Sequence, residues 1–276
     1  MRTSITLAVV VLLGACTALP VPTHSVFHAA DAAISVTRIA HGGVIVEMRG
    51  TRVVVDPWFH SGVLERQSEP LGLTPEDLPE MSAVLVTHGH TDHFDERALR
   101  TLATRVPEAV ARPELRQRLT ELGFKQVTTL GWWDTAQVGG ITITAVPARH
   151  AVPENGYVLE ADGVRAYAAG DTRPFAELVD VATRFPALDV ALLPVGGERV
   201  LGVLKREMGP EEAARAAALL APQRVIPIGY GESGAPPLWW HASNPVERFR
   251  AECIKQGLPE GHLVILSPGE SWHYYR

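Results

Sequence analysis

Alternation of apolar and polar residues predicts a strand meander near the start of the folded part of the chain. The predicted strands cover 35–39, 44–47 and 52–55, with later strands at 84–86 and 141–146. Between the strands at 52–55 and 84–86, residues 61–79 form a predicted loop rich in Pro and Glu. A loop of this length in a compact domain is usually functional, and we expect it to form a wall of a binding pocket.

Helical periodicity follows residues that favour helix starts. The predicted helices begin after Asp95, at Pro113, after Gly209 and after Asn244. Asp162 and Gly163 form the dipeptide that favours a tight type I′ hairpin turn. Strands mixed with helices in this order predict an α/β or α+β fold.

The amino terminus has the features of a secretion signal. Arg2 is followed by an apolar stretch at 5–13, which is too short to span a bilayer. Leu13, Gly14, Ala15 and Cys16 resemble a bacterial lipobox, in which the cysteine becomes the lipidated first residue of the mature chain. Residues 1–15 are therefore predicted to be a lipoprotein signal peptide. Residues 16–33, which include Pro20 and Pro22, are predicted to be a flexible tether. The alternative is an ordinary cleaved signal with a coincidental cysteine.

The location follows from the same segment. Thr17, rather than Asp, follows the cysteine, which in lipoproteins of double-membraned bacteria implies the outer membrane. The sequence thus predicts a protein that is tethered to the membrane through acylated Cys16 and faces the periplasm.

Composition narrows the classes of partner. A hydrophobic content of 46% supports one sizeable core, and a formal net charge of −6 makes nucleic acid an unlikely partner. Once Cys16 is acylated, Cys253 is the remaining thiol and cannot close an internal disulfide. We expect a small-molecule or lipid-derived substrate, and the sequence predicts no particular oligomeric state.

Three histidines and an aspartate follow the predicted strand at 84–86. The period of two along a strand directs His88 and His90 to the same point, and Asp92 and His93 can face a second point close by. Imidazole and carboxylate are ligands that suit zinc, iron or manganese. The cluster therefore predicts a metal site.

This cluster resembles the metal-binding motif of the metallo-β-lactamase fold. Other segments resemble landmarks of that superfamily in the same order: 41–47, 55–57, 147–150, 169–172, 189–196, the helix from Pro210, and 268–270. The resemblance spans 34–276 and implies one hydrolase domain with a four-layer αββα sandwich. The most similar branch holds ascorbate-6-phosphate lactonase-like hydrolases and the phospholipase D that cleaves N-acylphosphatidylethanolamine.

The resemblance also implies a ligand set. His88, His90 and His150 would bind a first metal, Asp92 and His93 a second, and Asp171 would bridge the two. Zinc is the expected metal, as one or two ions, with manganese or iron as alternatives. A bound zinc ion lowers the pKa of its water to about 7, which supplies a nucleophile at neutral pH. Asp92 is the residue expected to orient that nucleophile.

One position departs from the family pattern. The family has a last histidine ligand after a proline at a strand end, whereas Pro227 is followed here by Ile228 and Gly229. Three outcomes stay open. His241 could replace the missing imidazole, water or Glu232 could complete the second site, or that site could be weak.

Evidence on the substrate is thinner. His41, Arg173 and Tyr230 are candidate substrate-binding residues, and Arg149 could also pair with a phosphate. Aromatic residues in segments next to the inferred site could form pocket walls: Trp58, Phe59, Trp132, Trp133, Trp239 and Trp240.

Two functions follow from these observations. The first is a metal-dependent hydrolase of an ester-like bond, with phosphodiester or phospholipid-derived substrates favoured slightly over lactones. The second is an envelope metal-binding protein whose degenerate second site has lost turnover. A flavin-linked diiron oxidoreductase is disfavoured, because that branch usually has glutamate where His90 stands.

Overall fold

The computed structural model describes residues 31–62, 65–234 and 238–276, without the side chains of 232–234. The predicted signal peptide, Cys16 and nearly all of the predicted tether lie outside the described residues. In the described part of the chain, no helix is long and apolar enough to cross a membrane.

The strands, in chain order, are β1 (Ile34–Ala40), β2 (Gly43–Met48), β3 (Thr51–Val55), β4 (Glu65–Gln67), β5 (Ala83–Leu85), β6 (Glu108–Ala111), β7 (Gln126–Thr129), β8 (Thr135–Val138), β9 (Ile141–Pro147), β10 (Asn155–Ala161), β11 (Val164–Ala168), β12 (Val190–Pro194), β13 (Arg199–Val200), β14 (Leu204–Lys205), β15 (Arg224–Ile228), β16 (Glu232–Gly234), β17 (Trp239–Trp240) and β18 (Ser271–Tyr274). The α-helices are α1 (Glu96–Ala103), α2 (Arg116–Glu121), α3 (Leu178–Arg184), α4 (Pro210–Leu220) and α5 (Pro245–Lys255). Short 3-10 helices cover Pro75–Asp77, Pro113–Leu115 and Glu260–His262.

Two large sheets form the centre of the domain. The strand order is β18-β1-β2-β3-β5-β6-β7 in the first sheet and β15-β12-β11-β10-β9-β8 in the second. Strands β3, β5, β6 and β7 run parallel, as do β11, β12 and β15. The predicted meander and the later strands at 84–86 and 141–146 are confirmed, and so is the hairpin, where Asp162 and Gly163 have φ of +49° and +74°.

Period-two alternation explains why both faces of each sheet are buried. In β3, Val53 and Val55 belong to the core between the sheets, while Val54 packs with Leu99 and Leu102 of α1 on the outer face. The second sheet buries its outer face against α3, α4 and α5, including Phe249. The expected four-layer αββα sandwich is confirmed.

The predicted helix starts are also confirmed, with differences in how they are capped. The Asp95 carboxylate accepts a hydrogen bond from the Ala98 amide, as expected of an N-cap. Pro113 begins a 3-10 turn that continues into α2. Asn244 precedes α5 in a left-handed conformation (φ +47°), and its side chain makes no capping bond.

The long loop at 61–79 contains a strand that the sequence pattern did not predict. Its segment β4 pairs with β16 in a two-stranded antiparallel sheet. Several strands end at the same edge of the two sheets, and the residues that follow β3, β5, β9, β11 and β15 include Asp56, His88, His150, Asp171 and Gly229. Ligands of open α/β sheets bind at the carboxyl ends of the strands, so this edge is where a site is expected.

Candidate metal centre

The first ligand group consists of His88, His90 and His150. Their nitrogens lie within 4.8 Å of one another, and His90 Nδ1 is 2.9 Å from His150 Nε2. Burial lowers the pKa of His88 well below its usual value and that of His90 to about 4, with further lowering by neighbouring histidines. These imidazoles are therefore neutral at pH 7, which is the form that binds a metal.

The second ligand group consists of His41, Asp92, His93 and Asp171, all four of which are buried. Asp171 Oδ2 lies 3.1 Å from His93 Nε2, and Asp92 Oδ2 lies 3.3 Å from His41 Nε2. Burial by itself would lower the pKa of His93, but the carboxylates of Asp171 and Asp92 raise it well above its usual value. A metal bound here must displace that proton, so its affinity rises with pH.

The two groups are adjacent. The rings of His88 and His93 have centroids 4.2 Å apart, and each belongs to a different group. Burial would raise the pKa of Asp171, but His93, then His88 and His150, hold it well below its usual value. The Asp171 carboxylate thus interacts with histidines of both groups, as a bridging ligand would.

Several atoms of these groups are buried and make no hydrogen bond among the described residues, although His41 Nε2 and His93 Nε2 each lie within ion-pair distance of a carboxylate of the same group. They are His88 Nε2, His93 Nε2, both ring nitrogens of His41 and Asp171 Oδ1. A buried polar atom without a hydrogen bond costs about 1–3 kcal/mol, so a folded protein rarely leaves several together without a ligand. Imidazole and carboxylate donors fit zinc, manganese or iron, and a divalent ion at each group would use one such atom from each residue.

Two carboxylates that the sequence analysis missed orient the histidines. Asp56 Oδ2 accepts a hydrogen bond from His93 Nδ1 at 2.7 Å, and Glu154 Oε1 lies 3.1 Å from His88 Nδ1. Glu154 also accepts from the Asp171 amide at 2.7 Å. Such partners fix the tautomer that directs Nε2 toward the metal. The available signal was weak, since each is a lone acidic residue beside a buried strand.

His41 supplies the imidazole that the second group would otherwise lack. It lies in the two-residue turn between β1 and β2 with a φ of +48°, which costs about 1 kcal/mol for a residue with a side chain. The Gly229 amide donates to the His41 carbonyl at 3.0 Å. Gly229, at the position where the family has its last histidine, therefore holds the backbone of His41, which follows a different strand. Sequence analysis had assigned His41 to the substrate.

His241 and Glu232 were the other suggested replacements for the missing imidazole. His241 lines a cavity of about 570 Å³ with Gly197 and Trp240, and it belongs to neither group within the described chain. Burial lowers the pKa of His241, with smaller opposing electrostatic contributions from His41 and Asp92. The side chain of Glu232 lies outside the described residues.

The contacts of the predicted substrate residues are mainly structural. The Arg173 guanidinium donates to the His150 carbonyl at 3.2 Å. The Tyr230 hydroxyl donates to the Leu266 carbonyl, and its ring lies 4.1 Å from the Arg38 guanidinium. Of the aromatic residues, Trp58 is fully buried against His41, whereas Trp132 is 38% exposed and lines a cavity of about 350 Å³ next to His150.

Arg206 is a further residue at the site that sequence analysis missed. It directly follows β14, and its Nη2 lies 2.7 Å from His90 Nε2. No sequence motif surrounds Arg206 to indicate a role. An arginine between a short strand and a helix usually only contacts water.

Comparisons with known proteins agree with this geometry. The model of the beta-lactamase superfamily domain matches residues 51–230. A UPF0173 metal-dependent hydrolase of Pyrococcus furiosus is 33% identical over 248 residues, which cover 86% of this chain and 98% of that protein. A second UPF0173 metal-dependent hydrolase, from Methanopyrus kandleri, is 32% identical over an alignment that covers 86% of this chain and 98% of that protein.

Solved structures give the same result for the fold. Igni18, a metallo hydrolase from the archaeon Ignicoccus hospitalis, superposes with a TM-score of 0.72 at 28% identity, covering 88% of this chain and 99% of that one. An isothiocyanate hydrolase from Delia radicum gut bacteria has a TM-score of 0.72 at 22% identity, covering 87% and 99%. With its αββα sandwich and its clustered histidines and aspartates, this chain belongs to the metallo-β-lactamase superfamily, among the UPF0173 metal-dependent hydrolases.

Proposed function

We propose that this hydrolase cleaves an ester-like bond, with phosphodiester or phospholipid-derived substrates ahead of lactones, and that it uses two zinc ions. The observation that carries the proposal is the pair of adjacent groups of buried imidazoles and carboxylates, with ring nitrogens that make no hydrogen bond among the described residues. When bound, paired divalent ions lower the pKa of water and stabilise both the attacking and the leaving oxygen of an ester. The preference for phosphodiesters comes from the family branch that the sequence motifs resemble.

The residues of the chain prepare the site for this chemistry. Asp56 and Glu154 hold His93 and His88 in the tautomer whose Nε2 faces the metal positions. Asp92, buried in the second ligand group, is placed to accept a proton from the attacking water and so to orient it.

A panel of chromogenic substrates tests the proposal. With added zinc or manganese, we expect hydrolysis of bis(p-nitrophenyl) phosphate to exceed that of a lactone and of a chromogenic cephalosporin, and we expect EDTA to abolish it. Rates should be measured with metal content on the same sample. Full metal content without turnover of any ester would contradict the proposal and favour the metal-binding alternative.

We also propose that acylated Cys16 tethers the enzyme to the outer membrane. The support is the lipobox-like segment, and a membrane tether suits a lipid-derived substrate. The full-length protein should incorporate radiolabelled palmitate, and the Cys16→Ser variant should not. Absence of label in the wild-type protein expressed in a double-membraned bacterium would contradict the tether and leave the hydrolase proposal untouched.

A further inference from the structure

Arg206 brings a permanent positive charge against the first ligand group. Its Nη2 lies 2.7 Å from His90 Nε2 and 3.0 Å from His90 Nδ1. The side chain is 19% exposed, and its Nε is buried without a hydrogen-bond partner among the described residues. The guanidinium thus lies directly beside His90 and is largely shielded from solvent.

The backbone of Arg206 is fixed at the same point. Its carbonyl accepts a hydrogen bond from His150 Nδ1 at 2.7 Å, and its amide donates to the Glu198 carbonyl at 2.9 Å. The side chain therefore starts from a position that is tied to one metal-ligand histidine and reaches another.

Metal binding changes what the guanidinium can contact. A neutral imidazole has one accepting nitrogen, and this nitrogen gives up its lone pair when it binds a metal. His90 then has no acceptor to offer to Arg206. Glu198 Oε1 is 3.9 Å from Arg206 Nε, which is within ion-pair range but too far for a hydrogen bond. In the metal-bound protein the guanidinium needs another acceptor.

Charge points to the same conclusion. A guanidinium next to a divalent cation is repelled unless an anion lies between them. The guanidinium presents parallel N–H groups that match the oxygens of a phosphate or a carboxylate, and charge-assisted bonds of this type are about twice as strong as neutral ones.

We propose that Arg206 binds an anionic oxygen of the substrate, a non-bridging oxygen of a phosphodiester, beside the group of histidines that would hold the first metal. This inference rests on the proposed function and names the residue that would select an anionic ester over a neutral one. Arg206 would act by direct contact with the substrate, and Glu198 would hold its backbone.

Three variants test this role: Arg206→Gln, Arg206→Lys and Arg199→Gln. Arg199 is an exposed arginine on the neighbouring strand β13, so its replacement removes the same charge without touching the ligand groups. Zinc content is measured for each protein. Binding of phenylphosphonate to the zinc-loaded protein is then measured by calorimetry.

We expect Arg206→Gln to weaken phenylphosphonate binding by about tenfold or more at unchanged zinc content, because a charge-assisted pair is lost. Arg206→Lys should retain part of the affinity, and Arg199→Gln should match the wild type. For turnover, Arg206→Gln should impair bis(p-nitrophenyl) phosphate by the same factor and leave the neutral ester p-nitrophenyl acetate within about threefold.

Three results would overturn the inference. They are unchanged phenylphosphonate affinity in Arg206→Gln, loss of zinc from that variant, and an equal loss of activity on the anionic and the neutral ester. The binding measurement needs no turnover, so it decides the role of Arg206 even if the wild-type protein hydrolyses no phosphodiester and the proposed substrate class fails.

Discussion

Replacing Asp171 with asparagine is expected to reduce metal-dependent hydrolysis by about a thousandfold, or about 4 kcal/mol in activation free energy. The carboxylate lies 3.1 Å from His93 and interacts with the histidines of both groups, so its charge contributes to both metal positions. Asparagine keeps the shape but removes the charge, and its amide nitrogen cannot bind a metal. The measurement is kcat/KM together with metal content per chain.

The matched control for this variant is Asp162→Asn. Asp162 is exposed in the turn between β10 and β11, and asparagine tolerates its positive φ of +49°. This variant should keep wild-type activity and metal content. Wild-type kcat/KM in folded Asp171→Asn would show that the bridging role is wrong.

Replacing His41 with alanine is expected to remove the metal of the second ligand group and to leave that of the first. The loss follows because His41 contributes the second imidazole of a group whose other members are His93 and two carboxylates. Metal content should fall from two ions to one per chain, and activity should fall by about a hundredfold or more. Metal analysis on purified, reconstituted protein checks the first number, and steady-state kinetics checks the second.

His241→Ala is the comparison that separates the two histidines. The structure brings His241 into neither group, so this variant should retain both ions. Two ions in His41→Ala combined with one ion in His241→Ala would reverse the assignment and support the replacement that the sequence first suggested.

Restoring the family's histidine at position 229 is not expected to compensate for the loss of His41. A Cβ atom at Gly229 would lie 2.8 Å from Glu207 Oε2 and 3.1 Å from Pro194 Cβ, at a φ of +71° that side chains rarely adopt. Overpacking of this kind typically costs about 1–3 kcal/mol. The second site therefore depends on a glycine at 229 and on a histidine at 41 together.

The sequence alone specified the features that depend on interactions between residues close together along the chain. Valines that alternate between two buried faces specify strands such as β3, and a carboxylate at Asp95 specifies the start of α1. The histidines of 88–93 follow one strand end, so strand periodicity alone indicates that they split between two neighbouring points. Local rules suffice here because the interacting residues lie close together along the chain.

The rest depended on contacts between distant segments. Nothing local at His41 indicates that its turn lies against Gly229 and that its ring joins Asp92, and the cluster beside His90 includes Arg206 only through the fold. The sequence by itself determined most of the element types and the core of the metal motif, and its resemblance to a known family implied the four-layer architecture. Only the tertiary structure decided which imidazole completes the second group and which cation lies beside His90, because strands far apart in sequence end at one edge of two packed sheets.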